Sequence, residues 1–493
     1  MTETVNGKGQ ILDGHIFVYP KDEAGLAKED LTSFINRNRQ YTADYQQNMN
    51  LYIGKHSILN QPPRQFGPDN RLVSNLPHYI VDTYNGFFAG IPPKITLDND
   101  SANTELQDWN DNNSFQDKLS EISKQTDIYG RSFAFVYQDE DSQTKITYLN
   151  PTECFMVYDD TVSRQPYCFV RYWKDATSRQ TVGEIYYADR TDSFANGTIE
   201  NNTGTNPNPY GLVPAVEFYG NEERQGVFDN VKTLITALNK VLSQKANQVE
   251  YFDNAYLKIL GIDLDKDGDG LPDANLLGNQ MIYSPDADAT NATVDFISKP
   301  DGDTMQEHII DRLVTMIYQI SMVPNLNDEA FSGNSSGVAL QYKLLAMRNM
   351  ASNKERKFTE ALRQMYRIVF STDAIVHDPN AWQDLNFHFK RNLPDNLADE
   401  ADTATKLSGI VSKQTQLSIL SCVDDPKTEM QRIKDEQAEQ VKQAVRNQAS
   451  AVDAVKGDND DDEHSVLEEK APTRDGLDEA KPGQRRSVQQ EDR

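Results

Sequence analysis

The chain has 493 residues, 37% of them hydrophobic and 25% charged, and a formal net charge of −27. That length accommodates roughly two to four structural units. A surface this acidic excludes nucleic-acid binding by general electrostatic attraction and adsorption to an anionic membrane, because like charges repel.

The N-terminus, MTETVNGKGQILDGHIFVYPKDEAG, lacks the basic-then-apolar pattern of a secretion signal, and no run approaches the ~18 apolar residues of a membrane span, so neither is expected. Cys154, Cys168 and Cys422 show no C-x-x-C spacing and read as reduced thiols in a cytosol-like compartment, small apolar side chains rather than ligands. The first helix is expected over 28–51, ending near Gly54. A second lies in NLPHYIVDTYNGFFAG, with Asn75 as cap, Pro77 in the first turn and Gly90 with Pro92 as the stop. A third spans 114–129 and stops at Gly130. The β-prone runs SFAFVY, KITYL, CFMVY, YCFVRYW and GEIYYA follow, and the α+β unit they complete ends near Tyr219.

From Val227 to Leu260 no Pro or Gly interrupts a helical pattern carried by Val227, Val231, Leu234, Leu238, Val241, Val249, Phe252 and Tyr256. A second long helix begins at a capping box of Thr304 and Glu307, presents Met305, Ile309, Leu313, Met316 and Ile320 as one apolar face, and ends at Pro324. Two rods joined by about forty residues most simply run antiparallel, with the insert at their shared tip. A polar loop then leads to a helix over 337–370, its buried side marked by Tyr342, Leu345, Phe358, Leu362, Met365 and Val369. That helix is locally basic: Lys343, Arg348, Lys354, Arg356, Lys357, Arg363 and Arg367 stand against Glu355 and Glu360. Its cations are candidates for a partner surface, with a solvated or intersubunit salt-bridge face as the plainer account. A short strand in DLNFHFKR and helices over 397–448, broken by the DDP at 424–426, complete the ordered chain. The charged, aromatic-poor residues 449–493 read as disordered.

Three motifs touch on chemistry. In GIDLDKDGDGLPDANLLG, Asp265, Asp267, Asp269 and Asp273 have a calcium-loop spacing, but neither register ends in the bidentate Glu of an EF-hand, and a solvated turn is the alternative. GNSSG at 333–337 matches G-x-S-x-G, but NLNDEAFS before it is no core strand, so the segment reads as a loop and helix cap rather than a nucleophile elbow. The seven histidines form no H-E-x-x-H or Cys/His cluster, there is no G-x-x-x-x-G-K-[ST], and no compact carboxylate set falls on adjacent strands for a two-metal nuclease.

From about Leu31 to Ala444 the chain resembles the portal, or connector, proteins of tailed double-stranded DNA bacteriophages, in the branch common among phages of Gram-positive bacteria. The resemblance is carried in order by NRLVSNLPHYIVDTYNGFFAGIPPKI, VPAVEFYGN with DNVKTLITALNKVLSQKANQVEYFDNAYLKILG, ISMVPNLNDEAFSGNSSGVALQYKLLAMRNMASNKERKF, and LPDNLADEADTATKLSGIVSKQTQLSIL. It implies an α+β portal fold: a wing over 1–225, stem helices over 226–260 and 304–323, a clip over 261–303 with strands in GNQMIYS and TVDFIS, a tunnel loop over 324–336, a long helix and wing strand over 337–395, a helical crown over 396–448 and a disordered acidic tail over 449–493. It implies a virion ring of about twelve subunits at one capsid vertex, through which DNA is packaged and ejected without sequence specificity. The implied partners are the terminase motor at the clip, scaffold and major capsid protein at the wing and crown, and head-completion or adaptor proteins at head-tail joining. No membrane and no catalysis are involved, and assembly takes place in the host cytoplasm. Asn325, Asn327, Asp328, Glu329, Ser332, Asn334 and Ser335 would face the DNA channel; Lys343, Arg348, Lys354, Arg356 and Lys357 would touch DNA or a neighbouring subunit. No cofactor is expected beyond Ca²⁺ at Asp265, Asp267, Asp269 and Asp273. The acidity then has a use, since DNA carries about one negative charge per 1.7 Å and an acidic wall lets it slide. The alternatives are a metal-dependent nucleic-acid enzyme of the packaging machinery and, further off, a calcium-dependent adhesive protein.

Overall fold

The computed structural model describes residues 3–4, 7–13, 15–65, 67–200, 206–252, 256–262, 281–284, 293–297, 303–326, 341–392, 397–420, 422–423 and 426–457. The chain divides into two compact units, Met1–Leu393 and Pro394–Arg493.

The first unit opens with short strands that the sequence reading did not assign: β1 (Glu3–Thr4), β2 (Gln10–Leu12) and β3 (Ile16–Tyr19). Helix α1 (Lys28–Tyr52) follows. In α2 (Leu76–Ala89), Pro77 occupies the first turn, where no N–H is needed. Asn75 does not cap α2 as expected, because its side chain is committed sideways to Tyr52 and His56. After β4 (Lys94–Thr96) comes a helix absent from the sequence reading, α3 (Asp100–Asn112). It is polar nearly all round and buries only Leu106, Trp109 and Asn110; Asn99 caps it by accepting from the Ala102 N–H at 3.1 Å. α4 (Phe115–Tyr129) ends at Gly130, where φ is 85° and a Cβ would lie 1.9 Å from the Arg224 carbonyl oxygen, so only glycine fits.

The five expected β runs are β5 (Arg131–Gln138), β6 (Thr144–Leu149), β7 (Cys154–Asp159), β8 (Pro166–Lys174) and β9 (Thr181–Tyr186). β10 (Thr191–Ala195), β11 (Thr198–Glu200) and β12 (Ala215–Tyr219) follow. One sheet has the order β1-β2-β3-β7-β8-β9-β10-β11 and a second the order β12-β5-β6. β3 pairs parallel with β7; the remaining pairings in both sheets are antiparallel. The near-continuous apolar run of β7 has a simple cause. Phe155 and Val157 pack with Phe34 of α1, while Cys154 and Met156 point the other way, into a core shared with Phe133 and Phe169, so both faces of the strand are buried.

α5 (Lys232–Phe252), entered through a 3-10 turn at Asp229–Val231, stops short of the expected Leu260. Tyr256–Leu260 is instead strand β13, paired parallel with β14 (Met281–Ser284) and antiparallel with β15 (Thr293–Ile297). The helical spacing of Tyr256 was coincidental: in YLKIL, Leu257 and Ile259 alternate with Lys258, and two flanking strands satisfy the backbone that a helix would have satisfied internally. α6 (Asp303–Ser321) starts before the expected cap at Thr304, and Glu307 pairs with Lys245 of α5 rather than closing a capping box. α7 (Leu345–Phe370) leads to β16 (Asn386–His388), which pairs with β4. The main core joins α2, α4, α7, β12 and the roots of α5 and α6 through residues such as Tyr84, Ile122, Phe218, Ile235, Ile317 and Phe358.

The second unit contains α8 (Leu397–Lys406), α9 (Lys413–Leu417), capped by Ser412, and α10 (Pro426–Gly457). α10 continues past the expected limit at 448, and residues 458–493 lie outside those described. Among the described residues no helix is long and apolar enough to cross a membrane.

His15, at φ 58°, stacks on Tyr41 at 3.5 Å. Burial, aided by Arg131, Arg224 and Arg37, pushes its pKa down to about 4. An unfolded histidine gains its proton near pH 6.5 and the folded ring does not, so this contribution is intact above that pH and is lost as pH falls toward 4, up to about 3 kcal/mol. Denaturant unfolding at pH 7 and pH 4.5 should show that loss, and His15→Asn, which tolerates the left-handed backbone and does not titrate, should reduce it.

Candidate functional site

α5 and α6 run antiparallel from a shared root. Lys245 pairs with Glu307, and the Gln306 amide donates to Gln248 at 2.9 Å. The face that α6 turns inward is Ile310, Val314, Ile317 and Ser321, each one residue after a member of the expected stripe and therefore rotated by about 100°. Of the expected stripe, Leu313 packs against the core, whereas Met305 is 69% exposed, Ile309 43% and Ile320 41%. On α5, Val231, Ile235 and Leu238 are buried as an apolar root, whereas Val249 is 55% exposed.

Farther along α5 the inner face turns polar. Asn239, Ser243 and Asn247, four residues apart, are all buried. Asn239 Oδ1 accepts from the Ser74 N–H at 2.8 Å, Ser243 Oγ from the Leu72 N–H at 2.9 Å and Asn247 Oδ1 from the Asn70 N–H at 2.5 Å. Two residues of extended chain advance about 6.6 Å and four residues of helix about 6.0 Å, so alternate amides of one meet every fourth side chain of the other. The Asn239 amide also donates to His56 Nδ1 at 2.7 Å. That bond requires a neutral ring, and burial holds the His56 pKa below its ordinary value.

Among the expected channel residues, Asn325 is described, half-buried just beyond α6; Asn327, Asp328, Glu329, Ser332, Asn334 and Ser335 lie outside the described residues, as do Asp265, Asp267, Asp269, Asp273 and the GNSSG segment. Tyr342, which precedes α7, and Leu345, its first residue, are not on a buried side: they are 73% and 49% exposed, and Leu345 is about 160° around the helix from buried Met347.

Most cations of α7 are engaged inside the subunit. Lys354 is a correction to the group of candidate DNA or intersubunit contacts. It falls on the apolar stripe with Met347, Ala351, Phe358 and Ala361 and is 1% exposed. Its ammonium donates to Asp127 Oδ1 at 2.7 Å, Ser123 Oγ at 2.8 Å and the Ser123 carbonyl at 3.3 Å, and lies 4.6 Å from the Phe88 ring centre. Burial pushes the Asp127 carboxyl up to about 6 and pushes Lys354 down, and each partner opposes the other's shift. Lys357 pairs with Glu222, Arg363 donates to the carbonyls of Trp382, Gln383 and Leu385, and Arg367 lies over the Trp382 ring. Lys343 and Arg356 are exposed and Arg348 is half-buried.

Beside α7 a cleft of about 400 Å³ is lined in part by Tyr158, Glu217, Arg224 and Lys357. Glu217 is the only carboxylate in it that is buried. Burial pushes its pKa up, and Arg131 and Arg224, at 3.3 and 3.4 Å, more than offset that, so it stays ionised below the usual range. Tyr158 also donates to it. A carboxylate saturated in this way is a structural anion, not a poised base.

The sequence of this chain is matched by known proteins. Residues 31–443 match the family model described as "Phage portal protein, SPP1 Gp6-like". The chain belongs to this phage portal family. It is 23% identical over 408 residues to a portal protein of Bacillus phage SPP1, covering 77% of this chain and 78% of that one. It is 20% identical over 428 residues to a portal protein of Clostridium phage phiCD119, covering 80% of this chain and 93% of that one. As a portal family member the chain is a structural component of the phage capsid, an oligomeric ring associated with capsid and terminase, and not an enzyme. The reading as a metal-dependent nuclease is set aside on this ground.

Neither the polar stripe of α5 nor the place of Lys354 was recognised from sequence. Both had a signal there: N-x-x-x-S-x-x-x-N in one helix, and a lysine in step with Ala351, Phe358 and Ala361 in another. Lys354→Met, which strands Asp127, should cost about 3–5 kcal/mol in urea unfolding, whereas Lys354→Met combined with Asp127→Leu should cost much less. Simple additivity of the two single losses would show that the pair is not coupled.

Proposed function

We propose that about twelve copies close head to tail into the ring that double-stranded DNA crosses during packaging and ejection. The family match over residues 31–443 is the observation that carries this reading. A head-to-tail ring needs two different adhesive sides on each subunit, and α6 offers them: Ile310, Val314 and Ile317 hold its own subunit, and Met305, Ile309, Met316 and Ile320 stand ready for the neighbouring stem. The loop that begins at Pro324 would face the channel, with Asp328 and Glu329 repelling phosphate so that the duplex slides. The terminase would dock at the insert between α5 and α6, scaffold and capsid proteins at the wing and crown, and head-completion proteins after filling, with assembly in the host cytoplasm. Arg348 and Arg356 of α7, with Lys343 before it, are on this reading candidates for contact with DNA or a neighbouring subunit.

We further propose that the conduit needs no cofactor. Calorimetric titration with millimolar Ca²⁺ should show no heat, and binding abolished by Asp267→Ala with Asp269→Ala would reverse that. For the ring, negative-stain images and light scattering of purified protein should give closed rings of about a dozen copies. Met305→Asp with Ile309→Asp should leave circular dichroism and melting unchanged while lowering the ring fraction at least about tenfold, since the substitutions place charges in a dry contact. Undiminished rings would mean that this stripe faces something other than a second copy.

A further inference from the structure

We infer that Tyr79 of α2 is the positioning residue for the loop leaving α6, fixing its first residues through backbone groups on both sides of Asn325. The inference rests on the reading of 324–336 as the channel loop.

The backbone at this root is directed more strongly than an exposed connection requires. Met322 adopts a left-handed φ of 59° although it is not glycine, and its side chain is half exposed. Such a conformation is unfavourable for a residue with a Cβ and persists where the surroundings enforce it. Val323, the next residue, is completely buried and plugs the core. Pro324 then fixes its own φ and offers no N–H. The Tyr79 hydroxyl donates to the Pro324 carbonyl at 3.1 Å and accepts from the Leu326 N–H at 2.8 Å. A hydroxyl has one hydrogen and two lone pairs, so both bonds form at once. The Tyr79 ring stands edge-on to Tyr318 of α6, with centroids 5.7 Å apart and planes at 85°, which holds the hydroxyl in place.

Folding does not demand this clamp. Leu326 is 46% exposed, and water would satisfy its amide at nearly equal free energy. What the clamp adds is direction: two backbone groups that flank Asn325, referenced to one rigid oxygen, restrict the path of residues 324–326. The same helix is tied at its start, where Ser74 donates to Asn239. Stem helix and loop root are therefore referenced to α2 together.

The test is Tyr79→Phe in the full-length ring, which removes the hydroxyl and keeps the ring packing against Tyr318. Hydrogen exchange of peptides covering 322–330 should speed up about tenfold at the Leu326 amide. Ring size should be unchanged and melting should move by no more than a few degrees. In a packaging system with terminase, filled heads should fall about tenfold. Tyr52→Phe is the control: it deletes a hydroxyl bonded to Asp82 on the neighbouring helix and should change none of these. Should Tyr79→Phe rings fail to close, mixed rings with a minority of variant subunits give the same readouts. Unchanged exchange overturns the inference. Faster exchange with normal filling also overturns it, and a deletion of 327–336 then tells which premise failed: if the deletion blocks filling, the channel-loop reading survives and Tyr79 does not position it; if the deletion fills normally, the channel-loop reading falls as well.

Discussion

The rest of the subunit depends on three polar side chains buried along one helix. Asn239, Ser243 and Asn247 do for residues 70–74 what a neighbouring strand would do in a sheet: they take up alternate amides of a part-buried segment. An apolar stripe would pack as densely but would give up these three bonds, at about 0.5–1.5 kcal/mol each. The register of the ladder fixes where the connection between α1 and α2 lies on the stem helix. Through α2 it also fixes where the core begins, since Ile80, Tyr84 and Phe88 of that helix lie at its centre. α5 is thus keyed to the segment entering α2 by hydrogen-bond register as well as by apolar contact, and register is the more specific of the two because a slip of one residue breaks every rung.

Charge is handled in a related way. The chain is acidic overall, yet its long basic helix does not present a basic face. Lys354, Lys357, Arg363 and Arg367 are directed to Asp127, Glu222, backbone carbonyls and an indole within the same unit, and Arg131 and Arg224 hold Glu217 beneath the surface. Most of these pairings neutralise a cation and a carboxylate together, so the rest of the surface keeps the acidity of the composition. For a ring that DNA must traverse this sign matters, because each phosphate held by a lysine or arginine would have to be released before the duplex could advance.

Much of the architecture was legible in the sequence because it rests on local rules. Pro77 at a helix start, Gly130 at a helix end and β-branched or aromatic runs mark their elements wherever the chain lies. The failures share a cause: each turned on a partner far away in the chain. α3 is polar and is made a helix by what Leu106 and Trp109 pack against. β1 to β3 are too short to show a period and exist because β7 offers an edge to β3. Tyr256–Leu260 continues a helical spacing but finds two strands to pair with. Of the candidate site, the two long antiparallel helices and the basic helix were legible from periodicity. The polar ladder and the inward lysine left only a spacing, which does not decide by itself, since an Asn, Ser or Lys on a helix reads as solvent-facing until its counterpart is known.

The inverted face of α6 is the most informative of these differences. The helix carries two apolar stripes offset by one residue: of Met305, Ile309, Leu313, Met316 and Ile320 three are exposed and Leu313 packs on the core, beside Ile310, Val314 and Ile317, which turn inward. In a protein that works alone, selection for solubility would remove whichever stripe the fold leaves outside, and periodicity would then name the inner one correctly. Here the sequence supports both, and a rule that assumes one buried face chooses the wrong one. In the ring proposed above the outer stripe would lie against another copy, and periodicity alone cannot tell such a contact from a core, since both carry the same spacing.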